Sequence, residues 1–327
     1  MSELQIVLCG GTGINIGKDL LAMPGTKIIK EASYLALDTS DSNPTDNMFP
    51  LEHMNSTRAP GEKAQGSGKD ITLNYEHMSP FIGETFRKHK PGKFVIVIGS
   101  GAGGSGSGLT LATMRYLISK GVPAVLVLVS DFSSLVERRN SVKVLQSYAN
   151  QTQQRYLGKV IPFIRVNNTS DKTWGEVNKE AVNEINYLSL FLTESNEGLD
   201  FEDIVNLLQY SKVTGLPPAL SEINFFNEKY LADFTGKPPV AYCSLHDSRE
   251  NVKTIFEGAG YRATGIINLD NNPPSDSTIV LTLDHGEAVE KVKHELDELE
   301  KSSQNSRSTF VKQDDFSDDA NEDGSCF

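Results

Sequence analysis

The stretch GSGAGGSGSG, residues 99–108, contains six glycines and three serines in ten positions. It follows an apolar run at 93–98 and precedes a helical pattern. Glycine lets a backbone approach an anion closely and direct several N–H groups at it, and the following helix adds its positive N-terminal end. We therefore predict a phosphate-binding loop and not a flexible linker. The P-loop pattern GxxxxGK[ST] is absent, because in its nearest approach, GEKAQGSGKD at 61–70, the lysine stands at the wrong offset.

A second glycine-rich turn, CGGTGIN at 9–15, follows the first apolar run, and Asp38 ends the next one. Taken alone, this turn resembles a dinucleotide-binding fingerprint, with Asp38 near the position of an acid that binds ribose. One alternative from these residues is therefore an NAD-dependent oxidoreductase. That alternative gives no role to the denser glycine loop at 99–108.

The elements that must position these turns follow from the hydropathy pattern. Continuous apolar, β-branched runs predict strands that are buried on both faces, and hence a doubly wound parallel sheet with helices on both sides, at 4–9, 34–38, 93–98, 123–130 and 160–166. The polar, glycine-rich segment 39–70 is too long for an ordinary connection, so we expect part of it to be functional or mobile.

The second half of the chain has a different pattern. Residues 177–193 predict a long helix without glycine or proline. After it, the pattern predicts a smaller α+β domain with helices near 203–212, 221–234 and 248–258 and strands at 239–245, 264–270 and 278–284. Residues 286–301 predict an amphipathic helix, and the polar residues that follow have too little apolar content to fold alone.

Composition excludes several classes of function. The 327 residues are enough for two domains, and half of the net charge of −12 lies in residues 314–327. Without a surplus of lysine and arginine, direct nucleic-acid binding is disfavoured. Three widely spaced cysteines fit neither a disulfide framework nor a zinc site. The N-terminus lacks a signal peptide and no apolar run is long enough for a membrane span, so we expect a cytoplasmic protein without membrane contact.

The segment AGGSGSG, Ala102 to Gly108, resembles the tubulin/FtsZ signature [SAG]GGTG[SA]G, with Ser105 in place of threonine. Asn15 matches the asparagine that ends the family's first turn, and residues 38–40 (Asp-Thr-Ser) stand where the family has N-T-D. The order of predicted elements is also that of the family. The resemblance implies a GTP-binding domain at 1–174, a central helix at 175–194, a second domain at 195–285, a C-terminal helix at 286–309 and an acidic tail at 310–327.

The resemblance also implies a nucleotide site. Trp174 would stack on guanine, and Asn178, four residues later on the same helix face, would pair with the edge of the base. Glu137 and Asn168 fall near loops that contact ribose and base in the family. The implied ligands of GTP or GDP are Gly10, Gly11, Thr12, Gly13, Asn15, Asp38, Ala102, Gly103, Gly104, Ser105, Gly106, Ser107, Gly108, Glu137, Asn168, Trp174 and Asn178, with Mg²⁺ on the phosphates and no direct protein ligand to the metal.

The segment GLDFED, 198–203, is similar to the family's NxDFxD loop, with Gly198 where asparagine is usual. On spacing alone, Asp200 and Asp203 could simply cap a helix. The resemblance implies that both carboxylates enter the nucleotide pocket of the next subunit and polarise the attacking water, so that GTP hydrolysis depends on assembly. A polymer that binds GTP but has lost hydrolysis remains an alternative.

Chain length and the acidic end resemble the bacteriophage tubulins of the PhuZ type. This subgroup implies filaments that position phage DNA or particles in the cytoplasm of an infected bacterium, whereas a plasmid-segregating tubulin-like protein is an alternative. We expect the acidic tail to dock in a basic groove of a neighbouring subunit, anchored by Phe310 or Phe316, although it could be a solvated tail. The docking carboxylates would be Asp314, Asp315, Asp318, Asp319, Glu322 and Asp323.

Overall fold

A computed structural model describes residues 3–54, 56–57, 63–64, 66–70, 73, 75–131, 134–227, 239–268, 270 and 277–283, and, near the C-terminus, residues 290, 293, 294, 296–298 and 300–302. The strands in this part of the chain are β1 (Leu4–Cys9), β2 (Ser33–Asp38), β3 (Leu51–His53), β4 (Ser56–Thr57), β5 (Lys63–Ala64), β6 (Phe94–Ser100), β7 (Ala124–Asp131), β8 (Ile161–Asn168), β9 (Leu220–Asn227), β10 (Ala241–His246), β11 (Tyr261–Ile266) and β12 (Ser277–Leu283).

The α-helices in the same residues are α1 (Gly10–Ala22), α2 (Lys27–Glu31), α3 (Tyr75–Lys88), α4 (Ser105–Ser119), α5 (Leu135–Gln151), α6 (Trp174–Phe191), α7 (Phe201–Leu208) and α8 (Ser211–Thr214). The described residues between 290 and 302 are also helical. One of them, Glu300, forms an ion pair with Arg139 of α5 at 2.8 Å, so this helix lies near α5.

Ten strands form one sheet in the order β11-β10-β12-β9-β8-β7-β6-β1-β2-β3, and β4 pairs with β5 separately. From β3 to β9 every pairing is parallel, whereas β12 runs antiparallel to both β9 and β10. The chain leaves β1 toward β2 on one side and resumes with β6 on the other. This change of direction creates a topological switch point between β1 and β6, where ligands of doubly wound folds bind.

Alternation of side chains along the strands builds a core on each face of the sheet. In β6, Ile96 and Ile98 join one cluster together with α1 and α6, while Val95 and Val97 join the other with α3, α4 and α5. Because both faces are covered, β6 is apolar along most of its length. The glycine turns are thereby fixed to a strand with packed helices on either side.

The predicted fold class, a doubly wound α/β sheet followed by a long central helix and a smaller α+β part, is confirmed. All five strands predicted in the first half lie within two residues of their expected ends. The central helix begins at Trp174 and ends at Phe191, earlier than predicted at both ends. The sheet continues across the expected domain boundary near residue 195, because β9 pairs with β8.

Two helix predictions in the second half are wrong. Residues 220–227, expected to begin a helix at 221–234, form β9, because pairing with β8 and β12 satisfies its backbone on both sides while Phe225 packs against Tyr187 and Phe191 of α6. The rest of that predicted helix lies outside the described residues. The segment 248–258 contains only a 3-10 turn, Arg249–Asn251, followed by irregular chain.

Candidate nucleotide site

The two predicted glycine turns meet at the switch point. Gly10 adopts a φ of +67°, and a Cβ placed on it would lie 2.8 Å from the Cα of Gly106. A Cβ on Gly13 would lie 2.6 Å from the carbonyl oxygen of Ile98. Since real Cβ atoms do not approach backbone this closely, these positions require glycine. The turns after β1 and β6 therefore form one continuous surface of backbone.

Two helix N-termini converge on this surface. Helix α1 begins at Gly10 and α4 at Ser105, directly after the turns. Neither N-cap residue, Cys9 or Gly104, provides a side-chain cap, and neither first turn contains an acidic residue. Their first-turn N–H groups thus need partners from outside the helix, and both helix dipoles place partial positive charge here. The geometry suits a polyanion such as the phosphates of a nucleotide.

The loop at 99–104 is braced by its own serines. The hydroxyl of Ser100 accepts hydrogen bonds from the N–H groups of Ala102 and Gly103, at 3.0 and 3.1 Å. The hydroxyl of Ser107 donates to the carbonyl oxygens of Ser100 and Gly103, at 2.8 and 2.7 Å. These bonds explain why a stretch so rich in glycine is ordered between a strand and a helix.

Residues 66–70, which carried no predicted ligand, cover this loop. A Cβ on Gly104 would lie 2.7 Å from the Cβ of Ser67, and the hydroxyl groups of Ser67 and Ser105 are 2.8 Å apart. Asn140 of α5 ties the two loops together, because its amide donates to the carbonyl oxygens of Lys69 and Ala102, at 2.8 and 3.0 Å. The glycine-serine-lysine run at 66–69 was the available signal, but its spacing did not match a known loop.

Lys69 brings a positive charge to this edge of the site. Its ammonium group pairs with the carboxylate of Glu137, which is mostly buried and also accepts from Ser134 at 2.6 Å. Lys69 itself has a φ of +65°, a left-handed conformation that is uncommon outside glycine. Glu137, predicted to contact ribose, is therefore engaged with Lys69 and with the N-terminus of α5.

Asp38 lies behind the site at the end of β2. Its side chain is 1% exposed, accepts a hydrogen bond from the Thr39 N–H at 2.7 Å and accepts another from the Asn43 amide at 2.8 Å. Burial raises the pKa of this carboxyl, while the bonds from Asn43 and Thr39 oppose the rise. A carboxylate so buried and so occupied is poorly placed to bind a ribose hydroxyl, which weakens the dinucleotide alternative. Thr39 also contacts the hydroxyl of Ser105.

Trp174 and Asn178 lie in the first two turns of α6, beside α1. Trp174 is the chain's sole tryptophan, and its large apolar side chain is 81% exposed. A capping box between Thr173 and Glu176 fixes the start of the helix. The Asn178 amide donates to Asp19 of α1 at 2.7 Å, and Asn15, one turn before Asp19, is exposed. Trp174 is thus an exposed aromatic ring one helical turn before Asn178, an arrangement that suits stacking of a base.

The remaining predicted ligands lie in the first turn of α1 and at the end of β8. Gly11 and Thr12 lie in the first turn of α1, and Asn43 covers Gly11, because a Cβ there would lie 2.7 Å from the Asn43 Oδ1. Asn168 ends β8, six residues before Trp174. Within the residues described here, no group of three histidine, cysteine, aspartate or glutamate side chains could hold a metal ion.

Asp200 and Asp203 lie at the opposite end of the sheet. They form a mutual capping box at the start of α7, and Tyr261 donates a hydrogen bond to Asp203 at 3.0 Å. Phe201, next to Asp200, packs on Phe94, with ring centroids 5.4 Å apart. Since Phe94 begins β6 and the glycine loop follows its end at residue 100, the two sites are separated by about 20 Å of strand. The carboxylates therefore cannot reach the glycine loop of their own chain.

Gly198, where the sequence departs from the family pattern, adopts a φ of +76°. Glycine occupies this left-handed region without strain, and asparagine tolerates it better than most residues do. The substitution therefore preserves the backbone path into the loop that carries Asp200. The six acidic residues of the tail that are predicted to dock on a neighbouring subunit lie outside the described residues. Within the described residues, no helix is both long and apolar enough to span a membrane.

Known proteins that are similar to this chain include tubulin-like proteins of phages. The chain is 26% identical over 245 residues to a phage tubulin-like protein of Pseudomonas phage PhiPA3, covering 74% of this chain and 72% of that protein. A protofilament of TubZ from bacteriophage PhiKZ superposes with a TM-score of 0.80 at 19% identity, covering 94% of this chain and 93% of that one. The GDP complex of the phage tubulin PhuZ gives a TM-score of 0.80 at 19% identity over 99% of both chains. No protein-family model matches the chain.

The fold is the one shared by the phage proteins TubZ and PhuZ. In sequence the chain is similar to a phage tubulin-like protein, so the tubulin-like resemblance inferred from the Ala102–Gly108 segment is confirmed.

Proposed function

We propose that the chain is a GTP-binding, tubulin-like protein that assembles head to tail into filaments and hydrolyses GTP where one subunit meets the next. The observation that carries this proposal is the placement of the glycine loops and of Asp200 and Asp203 at opposite ends of the sheet. Either end is incomplete alone. Stacking a second copy on the first brings the carboxylates of one to the phosphates of the other.

The nucleotide end supports a triphosphate ligand. The convergent helix N-termini and the glycine backbone favour the phosphates, and Lys69 is a cation beside the loop, because Asn140 bonds to the carbonyl oxygens of both Lys69 and Ala102. A terminal phosphate would compete with Glu137 for this ammonium group. Mg²⁺ would be bound by phosphate oxygens and would neutralise the charge that develops during phosphoryl transfer.

The names of structural relatives support assembly and nucleotide identity. They include a protofilament and a filament of phage proteins with this fold, and one complex with GDP. At 19% identity these likenesses establish only the fold, so polymerisation and guanine binding of this chain are part of the proposal. Their phage origin supports a role in positioning phage DNA or particles within the cytoplasm of an infected bacterium.

The acidic tail is proposed to bind a neighbouring subunit through its six carboxylates. Exposed ion pairs contribute about 0–1 kcal/mol each, so several must act together with an apolar anchor, Phe310 or Phe316. Deletion of residues 310–327 should weaken assembly, measured by sedimentation at several protein concentrations. Unchanged assembly would rule out the docking role and leave a solvated tail.

The proposed function is tested by measuring phosphate release per subunit at increasing protein concentration, with electron microscopy of the same samples with and without GTP. We expect filaments only with nucleotide, and a rate per subunit that rises steeply once filaments form. A rate that does not depend on concentration would contradict hydrolysis at the subunit contact.

Substitution of the proposed catalytic carboxylate separates assembly from hydrolysis. Asp200→Ala should lower the rate by about 100-fold, the scale of a lost general base, and leave GTP-bound filaments that persist. Glu202→Gln is the matched control, because Glu202 is an exposed acid in the same first turn of α7. Filaments of the Asp200 variant that turn over as the wild type does would refute its role.

A further inference from the structure

Asp19 is not one of the predicted nucleotide ligands, yet it contacts Asn178, the proposed base-binding residue. It lies in α1, and its Oδ2 accepts a hydrogen bond of 2.7 Å from the Nδ2 of Asn178. Helix α1 starts at the phosphate loop, so Asp19 stands nine residues, or about 14 Å, along the helix from Gly10. That is far enough from the phosphates to reach the other end of a bound nucleotide.

The contact fixes the orientation of the Asn178 amide. An ionised carboxylate accepts hydrogen bonds and donates none, so the amide must turn its NH₂ group toward Asp19. Its carbonyl oxygen then faces the other way. Helical side chains lean toward the helix N-terminus, which in α6 is the side of Trp174, one turn earlier. We therefore expect the carbonyl oxygen of Asn178 and the Oδ1 of Asp19 to be two acceptors on the side of the exposed Trp174 ring.

An edge made only of acceptors discriminates among purines. Guanine presents two neighbouring donors, its N1–H and its exocyclic 2-amino group. Xanthine replaces the amino group by a carbonyl oxygen, and adenine presents an acceptor at N1. A carbonyl oxygen of the base that faces another acceptor replaces a hydrogen bond by repulsion between the two oxygens, which disfavours the wrong base.

We propose that Asp19 is the residue that sets the specificity for guanine, by holding Asn178 with its carbonyl oxygen toward the base and by offering its own second oxygen. This inference rests on the proposed function, because it requires a purine nucleotide stacked on Trp174. Asp19 is here a positioning and specificity-determining residue, separate from the carboxylates Asp200 and Asp203 at the other end of the sheet.

The test compares GTP with xanthosine triphosphate. In Asp19→Asn the new amide can donate, so the Asn178 amide is free to turn its NH₂ group toward the base and meet the 2-carbonyl oxygen of xanthine. We expect the preference for GTP over xanthosine triphosphate to fall by about 100-fold, in binding measured by calorimetry with the full-length protein. Quenching of Trp174 fluorescence reports in the same titration whether the base still stacks.

Two further variants make the result specific. Asp46→Asn is the matched control, because Asp46 pairs with Lys18 of the same helix at 2.6 Å, and it should leave the preference unchanged. The exchanged pair, Asp19→Asn with Asn178→Asp, restores an amide and a carboxylate in contact and returns a carboxylate to the base edge. It should recover the preference for GTP, whereas a merely structural role for Asp19 predicts that Asp19→Asn weakens GTP and xanthosine triphosphate binding alike and leaves their ratio unchanged.

The outcomes separate this inference from the proposed function. If the wild-type protein binds no guanine nucleotide, the proposed function fails and the role of Asp19 fails with it. If the wild type binds GTP and Asp19→Asn keeps the wild-type preference, only the role of Asp19 is refuted. If the Asp19→Asn protein does not fold, the exchanged pair decides the question. An exchanged pair that folds but does not prefer GTP would overturn the role of Asp19.

Discussion

The contact between the two glycine turns makes a quantitative prediction for Gly10→Ala. A residue other than glycine in the left-handed region costs about 1–2 kcal/mol. The added methyl group would also lie 2.8 Å from the Cα of Gly106, so the backbone must move, which adds about 1–3 kcal/mol. We expect the free energy of unfolding to fall by about 2–5 kcal/mol in total. Because Gly106 belongs to the proposed phosphate loop, affinity for GDP should fall as well.

Gly121→Ala is the control for the conformational part of this cost. Gly121 has a similar φ of +73°, but no atom lies within 4 Å of an added Cβ. It should lose only about 1–2 kcal/mol and bind GDP normally. Urea denaturation gives the free energies of unfolding, and calorimetry gives the affinities. If Gly10→Ala is no more destabilising than Gly121→Ala and binds GDP equally well, the two turns do not form one rigid surface.

Three further variants test the structure around the site. Burial and the charge of Glu180 raise the pKa of Glu184 in α6 to about 7. Ionisation of Glu184 therefore destabilises the folded state, so Glu184→Gln should raise the free energy of unfolding by about 2 kcal/mol at pH 8, measured by urea denaturation. This gain should disappear as the pH falls from 7 to 4.5. Asn140→Ala leaves two carbonyl groups without their donor and should cost about 2 kcal/mol in the same assay, whereas Asn150→Ala on the same helix should cost less than about 0.5 kcal/mol. Gly83→Ala adds a methyl group to open space in α3 and should stabilise the fold by about 0.5–1 kcal/mol, seen as a higher melting temperature.

The sequence was sufficient to predict those elements whose residue pattern lies entirely within the element. The strands β1, β6 and β7 are covered on both faces, so their apolar runs are continuous and their ends predictable. The glycine turns were recognisable because close backbone contact, as at Gly10 and Gly13, can be met only by glycine. The four-residue spacing of Trp174 and Asn178 likewise placed them correctly on successive turns of one helix.

The sequence was insufficient where a contact depends on distant segments. Asn140 reaches Lys69, 71 positions away, and Asp19 reaches Asn178, 159 positions away. No local period marks such polar contacts. Residues 221–227 were wrongly predicted to begin a helix for a related reason, because their strand conformation is stabilised by pairing with β8 and β12 and not by local preference.

The most direct test of the account is hydrolysis in a mixture of two variants that are each defective at one end. Asp200→Ala keeps the nucleotide end intact, and Gly10→Ala keeps the carboxylate end intact. We predict that each hydrolyses GTP poorly alone and that filaments containing both recover phosphate release, since some contacts then join an intact loop to an intact Asp200. Mixed filaments that remain as inactive as the separate variants, or an Asp200→Ala protein with the wild-type rate, would contradict hydrolysis between subunits.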